Sequence, residues 1–174
     1  AGVTPSVVLQ DIAQNTEFFA TFAKEGGDNI LRAAIAAKSL GSELGTVSGI
    51  AESLLDFESS IEAQLEASLL LGRQINLDRA RQLFFVGKTE QGLQEVLKQV
   101  GSEAEFTRLL PIQRQKLASA VGLNVEQLSR LVRNNAAGAT GAAVGAAVGG
   151  DGQSVDFLSQ IADNTRKTYK GIQG

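Results

Sequence analysis

The sequence predicts an all-α protein, a coiled-coil-like helix joined to a small bundle of short helices, modular and elongated. Three observations carry that prediction. Only two prolines interrupt 174 residues and runs of β-branched residues are scarce, so helix is favoured almost throughout. Val47, Ile50, Leu54, Phe57 and Ile61 recur at alternating three- and four-residue steps, the spacing of a coiled-coil seam. From residue 73 onward, glycines punctuate short apolar-periodic stretches, the pattern of brief helices closed at their C-termini.

Residues 1–45 read as a helical pair. Ser6 to Lys24 is amphipathic, with Val8, Ile12, Phe19 and Phe22 near one face and Gly26-Gly27 at its end. Asp28 is placed to cap a second helix, Asn29 to Lys38, whose Ile30, Leu31, Ala34 and Ile35 are packing residues. Gly41 and Gly45 break the pattern before the seam helix, 46–72, which spans roughly 40 Å if continuous. Beyond Ile61, Leu65 and Leu69 each follow at four residues, so the stripe drifts around the helix as at a stutter. A stripe of this kind must be covered by something.

Residues 73–134 read as a small basic helical domain. Asn76 caps a helix running to Val86, Thr89 to Val100 is the next, and Gly87 and Gly101 stop them. Ser102 with Glu105 makes a capping box, Pro111 limits or restarts the helix that follows, and Asn124 with Gln127 opens the last, to about Arg133. The expected core is Leu83, Leu93, Val96, Leu97, Phe106, Leu117, Val121, Leu128 and Leu131. Residues 135–153 contain a low-complexity stretch, Ala136 to Gly150, with Gly141, Gly145 and Gly149 four apart. In a longer apolar segment that spacing packs transmembrane helices, but it falls short of the roughly 20 residues a span needs. It reads as a flexible Gly/Ala-rich linker. Residues 154–174 form a final helix capped by Ser154, with Phe157, Leu158, Ile161 and Tyr169 on one side and Arg166, Lys167 and Lys170 at its basic end. Its Leu158–Thr165 echoes Leu9–Thr16, but two copies do not make a solenoid.

Charge is unevenly spread behind a net −3. Residues 46–72 carry Glu52, Asp56, Glu58, Glu62 and Glu66 with no basic residue, whereas 73–134 carry ten basic and six acidic side chains. Such an acidic rod beside a basic cluster can pair with copies of itself or with an oppositely charged neighbour; the plainer reading is a solvated face. Histidine, cysteine, methionine and tryptophan are all absent. Without histidine the commonest general base and transition-metal ligand are missing. Gly87-Lys88-Thr89 resembles the end of a phosphate loop, but position 82 is Gln82 and a helix, not a strand, precedes it. No catalytic set, metal site, cofactor or small-molecule substrate is read from the chain, and no enzyme.

The rival signal is Gln115 to Arg133, a helix-turn-helix pattern with its turn at Gly122. Arg108 to Arg133 carries five basic residues and one acidic, which suits a DNA backbone, with Arg114, Lys116, Arg130 and Arg133 as candidate nucleic-acid contacts. Val125, Leu128 and Leu131 leave a recognition helix little room for base-reading side chains. A third class, a membrane-active helical protein, rests on Ala136 to Gly150.

Leu54 to Arg81 (LLDFESSIEAQLEASLLLGRQINLDRAR), Glu95 to Gly101, Glu105 to Leu123 (EFTRLLPIQRQKLASAVGL) and Glu126 to Val132 together resemble the C-terminal region of tail tape measure proteins of tailed bacteriophages. The resemblance covers under half of the chain. It implies a structural protein that sets tail length, docks in the baseplate hub at the tail tip and leaves at genome ejection. The implied partners are further copies of the chain as a homotrimer, the baseplate hub and tail tube proteins, with genomic DNA or host membrane touched during ejection. The implied location is the virion, in the tail lumen and baseplate. Ala1-Gly2-Val3 in place of an initiating methionine fits a C-terminal piece of a longer protein. On this reading Val47, Ile50, Leu54, Phe57, Ile61, Leu65 and Leu69 form one oligomerisation and docking seam.

Overall fold

Ten α-helices build the described chain, and two of them divide the expected seam. The computed structural model describes residues 3–147, with side chains through Ala137. In order the helices are α1 (Pro5–Gln14), α2 (Thr16–Phe22), α3 (Asp28–Ser39), α4 (Leu44–Leu55), α5 (Phe57–Leu71), α6 (Asp78–Phe85), α7 (Thr89–Val100), α8 (Glu103–Arg108), α9 (Pro111–Ala120) and α10 (Val125–Ala147). Among the described residues there is no strand.

Local chemistry sets most of the ends. Pro5 and Pro111 occupy the first turns of α1 and α9, where a missing N–H costs no helix bond. Ser102 Oγ accepts from Glu105 N at 3.2 Å while Glu105 Oε2 accepts from Ser102 N at 2.7 Å, the capping box that opens α8. Asn124 and Gln127 exchange the equivalent pair of bonds at the start of α10, at 2.8 and 3.1 Å. At Gly122, where φ is +79°, an added Cβ would overlap Ser53 and lie 3.0 Å from the Gly49 carbonyl oxygen. Glycine is therefore required there by both conformation and contact.

The core gathers around α3, α4 and α7. Ile30, Ala33, Ala34 and Ala37 give α3 a face of mostly small residues, and Leu44, Val47, Ile50, Ala51 and Leu54 of α4 are all buried. Leu93, Val96 and Val100 complete the layer from α7. Burying a leucine or isoleucine of this kind contributes about 1.5–3 kcal/mol. One continuous cluster runs from Val8 to Val132, so the expected boundaries at 45 and 72 do not separate cores. Of the expected 73–134 core every member is buried except Leu83, which is half-exposed.

Polar anchors fix the layers. Asp11 of α1 is buried, accepting from Leu44 N at 2.8 Å and lying 3.5 Å from Lys38 Nζ. Asn29 Nδ2 donates to the carbonyls of Phe22 and Gly87, both at 2.7 Å, tying the α2–α3 turn to the α6–α7 turn. Asn134 Nδ2 donates to Leu40 O at 2.7 Å. Because Gly122 abuts Gly49 and Ser53 while Asn134 abuts Leu40, α10 runs antiparallel to α4 and leaves the bundle beyond the α3–α4 turn.

Three expectations need correction. The single helix from Ser6 to Lys24 is two, because Asn15 sits at φ −118°, ψ 49° and donates its side chain to Asp11 O at 2.8 Å. The continuous 46–72 rod is also two helices, broken at Asp56, which has φ −78° and ψ 83°. The flexible linker is helical as far as Ala147. Its start is already held by the packed residues Leu128, Leu131 and Val132, so nucleation is complete and alanine propagates the helix at little cost. The remainder of 135–153 and the helix expected over 154–174 lie outside the described residues.

Candidate docking face

The break at Asp56 gives the two halves of the seam opposite surroundings. Val47, Ile50 and Leu54 on α4 are 1%, 0% and 0% exposed. Phe57, Ile61, Leu65 and Leu69 on α5 are 49%, 46%, 59% and 84% exposed. The sequence-predicted seam residues are thus not one surface: three are core and four form an outward stripe.

The stripe faces outward because α5 buries its other side. Ser60 and Ala67 are buried and Ala63, Gln64, Ser68 and Leu71 half-buried, a face of mostly small and polar residues at three- and four-residue steps. That face is occupied. Arg81 of α6, 3% exposed, donates from Nε and Nη2 to Ser60 Oγ at 3.0 and 2.9 Å and from Nη2 to Gln64 Oε1 at 2.8 Å. Its Nη1 donates to Asp78 Oδ1 at 2.6 Å. Gln64 Oε1 also accepts from Leu77 N at 3.1 Å, and Ser68 Oγ accepts from Ile75 N at 3.0 Å. Rotating α5 to bury the stripe would strip these buried donors of their acceptors, at about 1–3 kcal/mol each. Burial pushes the Arg81 pKa below the ordinary guanidinium value, with Asp78 pulling it back up.

Held this way, α5 and the end of α6 enclose an open groove of about 790 Å³. Phe57 and Ile61 line one wall, Leu83, Phe85 and Val86 the other, and Arg79 and Lys88 also border it. Phe85 is 71% exposed beside the fully buried Phe84. Sequence reasoning missed this second wall, although four consecutive apolar residues at a helix end, Leu83 to Val86, cannot all face one core. At the far end of α5, Gln113 Nε2 donates to Leu70 O at 2.9 Å, bringing the exposed Leu110 and Ile112 of the α9 start to the same end as Leu69 and Leu70. Exposed large apolar side chains gathered along one helix and beside a groove are a mark of interaction sites.

The candidate nucleic-acid cations are each engaged within the chain. Helices α9 and α10 are joined by a turn at Gly122, and Leu128, Leu131 and Val132 of α10 turn inward. Arg114 Nη2 donates to Thr107 O at 2.5 Å and its guanidinium lies 5.8 Å from the Phe106 ring centroid. Lys116 pairs with Glu66 at 2.7 Å, Arg130 with Glu126 at 2.9 Å, and Arg133 approaches Glu103 at 3.9 Å. Arg130 and Arg133 nevertheless keep more than half of their side-chain surface exposed. Among the described residues, no helix is long and apolar enough to cross a membrane.

Comparison of the chain with known families, curated proteins and solved structures finds no match.

Proposed function

We propose that the chain is a non-enzymatic assembly protein that docks through the α5–α6 face, and that it is the C-terminal part of a phage tape measure. The observation that carries the assembly reading is the outward stripe of Phe57, Ile61, Leu65 and Leu69, held out by the buried bonds of Arg81 to Ser60 and Gln64. A stripe set in place by a fully bonded inner face is a built surface, and apolar anchors beside a preformed groove are what protein interfaces use. The tape measure reading rests on the sequence resemblance between Leu54 and Val132, whose first segment, Leu54 to Arg81, includes all of α5. On that reading the chain associates with further copies as a homotrimer, and the same helical bundle offers surface to the baseplate hub and tail tube in the virion.

Light scattering after size exclusion, over a concentration series, tests this. The mass should rise above one chain towards three, and Ile61→Glu with Leu65→Glu should return it to one chain with helical circular dichroism unchanged. An association that survives both substitutions would overturn the docking face.

A further inference from the structure

The α5 stripe is ill suited to pair with itself. Helix α5 carries Glu58, Glu62 and Glu66 and no basic residue, and among the described residues Glu66 of these forms an ion pair, with Lys116. Two such helices side by side would bring like charges together, a repulsion of a few tenths of a kcal/mol per close pair. A better partner would be apolar at the same spacing and basic.

The chain supplies a segment of this kind outside the described residues, with three basic side chains to the two acids Asp156 and Asp163. Residues 154–170 read from sequence as an amphipathic helix, with Phe157, Ile161 and Tyr169 on one row of four-residue steps and Arg166, Lys167 and Lys170 at the end. The stripe on α5 is also a row of fours, Phe57, Ile61, Leu65 and Leu69. Rows of this kind interdigitate when two helices pack ridge into groove. The lengths agree as well: the 15 residues of α5 span about 22 Å and residues 154–170 about 25 Å as helix.

Reach decides which copy provides the segment. Helix α10 runs antiparallel to α4 and, past Asn134, carries the chain about 20 Å beyond the α3–α4 turn. Phe57 lies at the opposite end of α4, whose 12 residues span about 18 Å. The separation between Ala147 and the groove is therefore on the order of 40 Å. From Ala147 to Phe157 the chain covers at most about 35 Å fully extended, and it would have to go around the bundle. A straight run to the Phe57 end is thus longer than the linker, which favours the groove of a second copy.

We infer that the α5–α6 face receives residues 154–170 of a second copy of this chain, making a head-to-tail contact. The inference rests on the assembly reading above and specifies its partner. A head-to-tail contact closes into a ring when its rotation permits, which is how three copies would be joined without three acidic helices meeting. Because opposite charges contribute, raising the salt concentration weakens it.

Two full-length variants test it in sedimentation velocity: a face variant, Ile61→Glu with Leu65→Glu, and a tail variant, Phe157→Glu with Ile161→Glu. Each alone should sediment as one chain, with helical circular dichroism of the folded protein. Mixed in equal amounts they should give a two-chain species, since one retains the tail and the other the face. A tail variant that keeps the wild-type mass overturns the inference and leaves the docking face standing; two monomeric variants that fail to complement also overturn it. A face variant that keeps the wild-type mass overturns the assembly reading itself.

Discussion

Helices α4 and α5 carry one hydrophobic rhythm into two different environments. On α4 the row Val47, Ile50, Leu54 is sealed between α3, α6 and α7; on α5 the continuation Phe57, Ile61, Leu65, Leu69 faces out, while serine, alanine and glutamine face in. The difference teaches that periodicity identifies residues sharing a helix face but not what lies against that face. On α4 the large residues meet the core. On α5 the inner side packs on α9 and holds the Arg81 guanidinium of α6, and the large residues stay exposed.

The sharpest way to break this contrast is to truncate one residue in each half. Leu54→Ala should cost about 2–5 kcal/mol, as buried leucine truncations do, whereas Leu69→Ala should change stability by no more than about 0.5 kcal/mol. Urea unfolding of both variants at low protein concentration checks this, and equal losses would erase the distinction. A smaller effect is expected at the joint between the regions. Arg81→Ala removes the donors to Ser60 and Gln64 and should cost about 1–3 kcal/mol, with α5 losing amide protection before α4 does. Next comes Ser102→Ala, remote from both halves, which should lower stability by about 1 kcal/mol through loss of the α8 cap.

The smallest effects are in pH dependence, and two glutamates set its sign in opposite directions. The Glu105 carboxyl is held below its ordinary pKa of 4.5 by the Ser102 backbone N–H and then its hydroxyl. Its contribution is present above pH 4.5 and is lost as pH falls through the lowered folded value, so Glu105→Gln should flatten the acid side of a melting-temperature profile. Glu90 is pushed above 4.5 by burial, with Arg32 opposing. Its contribution is present below pH 4.5 and lost as pH rises through the raised folded value, so Glu90→Gln should raise the melting temperature near neutrality and cease to do so in acid. Neither substitution should alter association through α5, which keeps the two regions separable.

How much of this was legible follows from how local each cause is. The helical class, the Ser102–Glu105 and Asn124–Gln127 boxes, the run Thr89–Val100 and the core leucines from Leu93 to Leu131 all depend on neighbours within a turn or on a single-face pattern, and each was readable. The breaks at Asn15 and Asp56 were not, since neither glycine nor proline marks them and both depend on where the next helix packs. The helical course of 136–147 is obscured in the sequence by its glycines, which the alanines and the packed turn before them outweigh. At the docking face, the four α5 residues were legible as a stripe. Their exposure was not, because Arg81 reaches Ser60 across 21 residues of sequence. Phe85 and Val86 could have been found by asking which members of an apolar run the core cannot hold.

Hydrogen exchange across a protein concentration series tests the division of the seam most directly, because both halves are read in one sample. The expected result is strong protection of the amides of Leu44–Leu55 at every concentration, and protection of Phe57–Leu71 that grows as concentration rises. Protection of both helices that is equal and independent of concentration would contradict a seam divided between fold and partner.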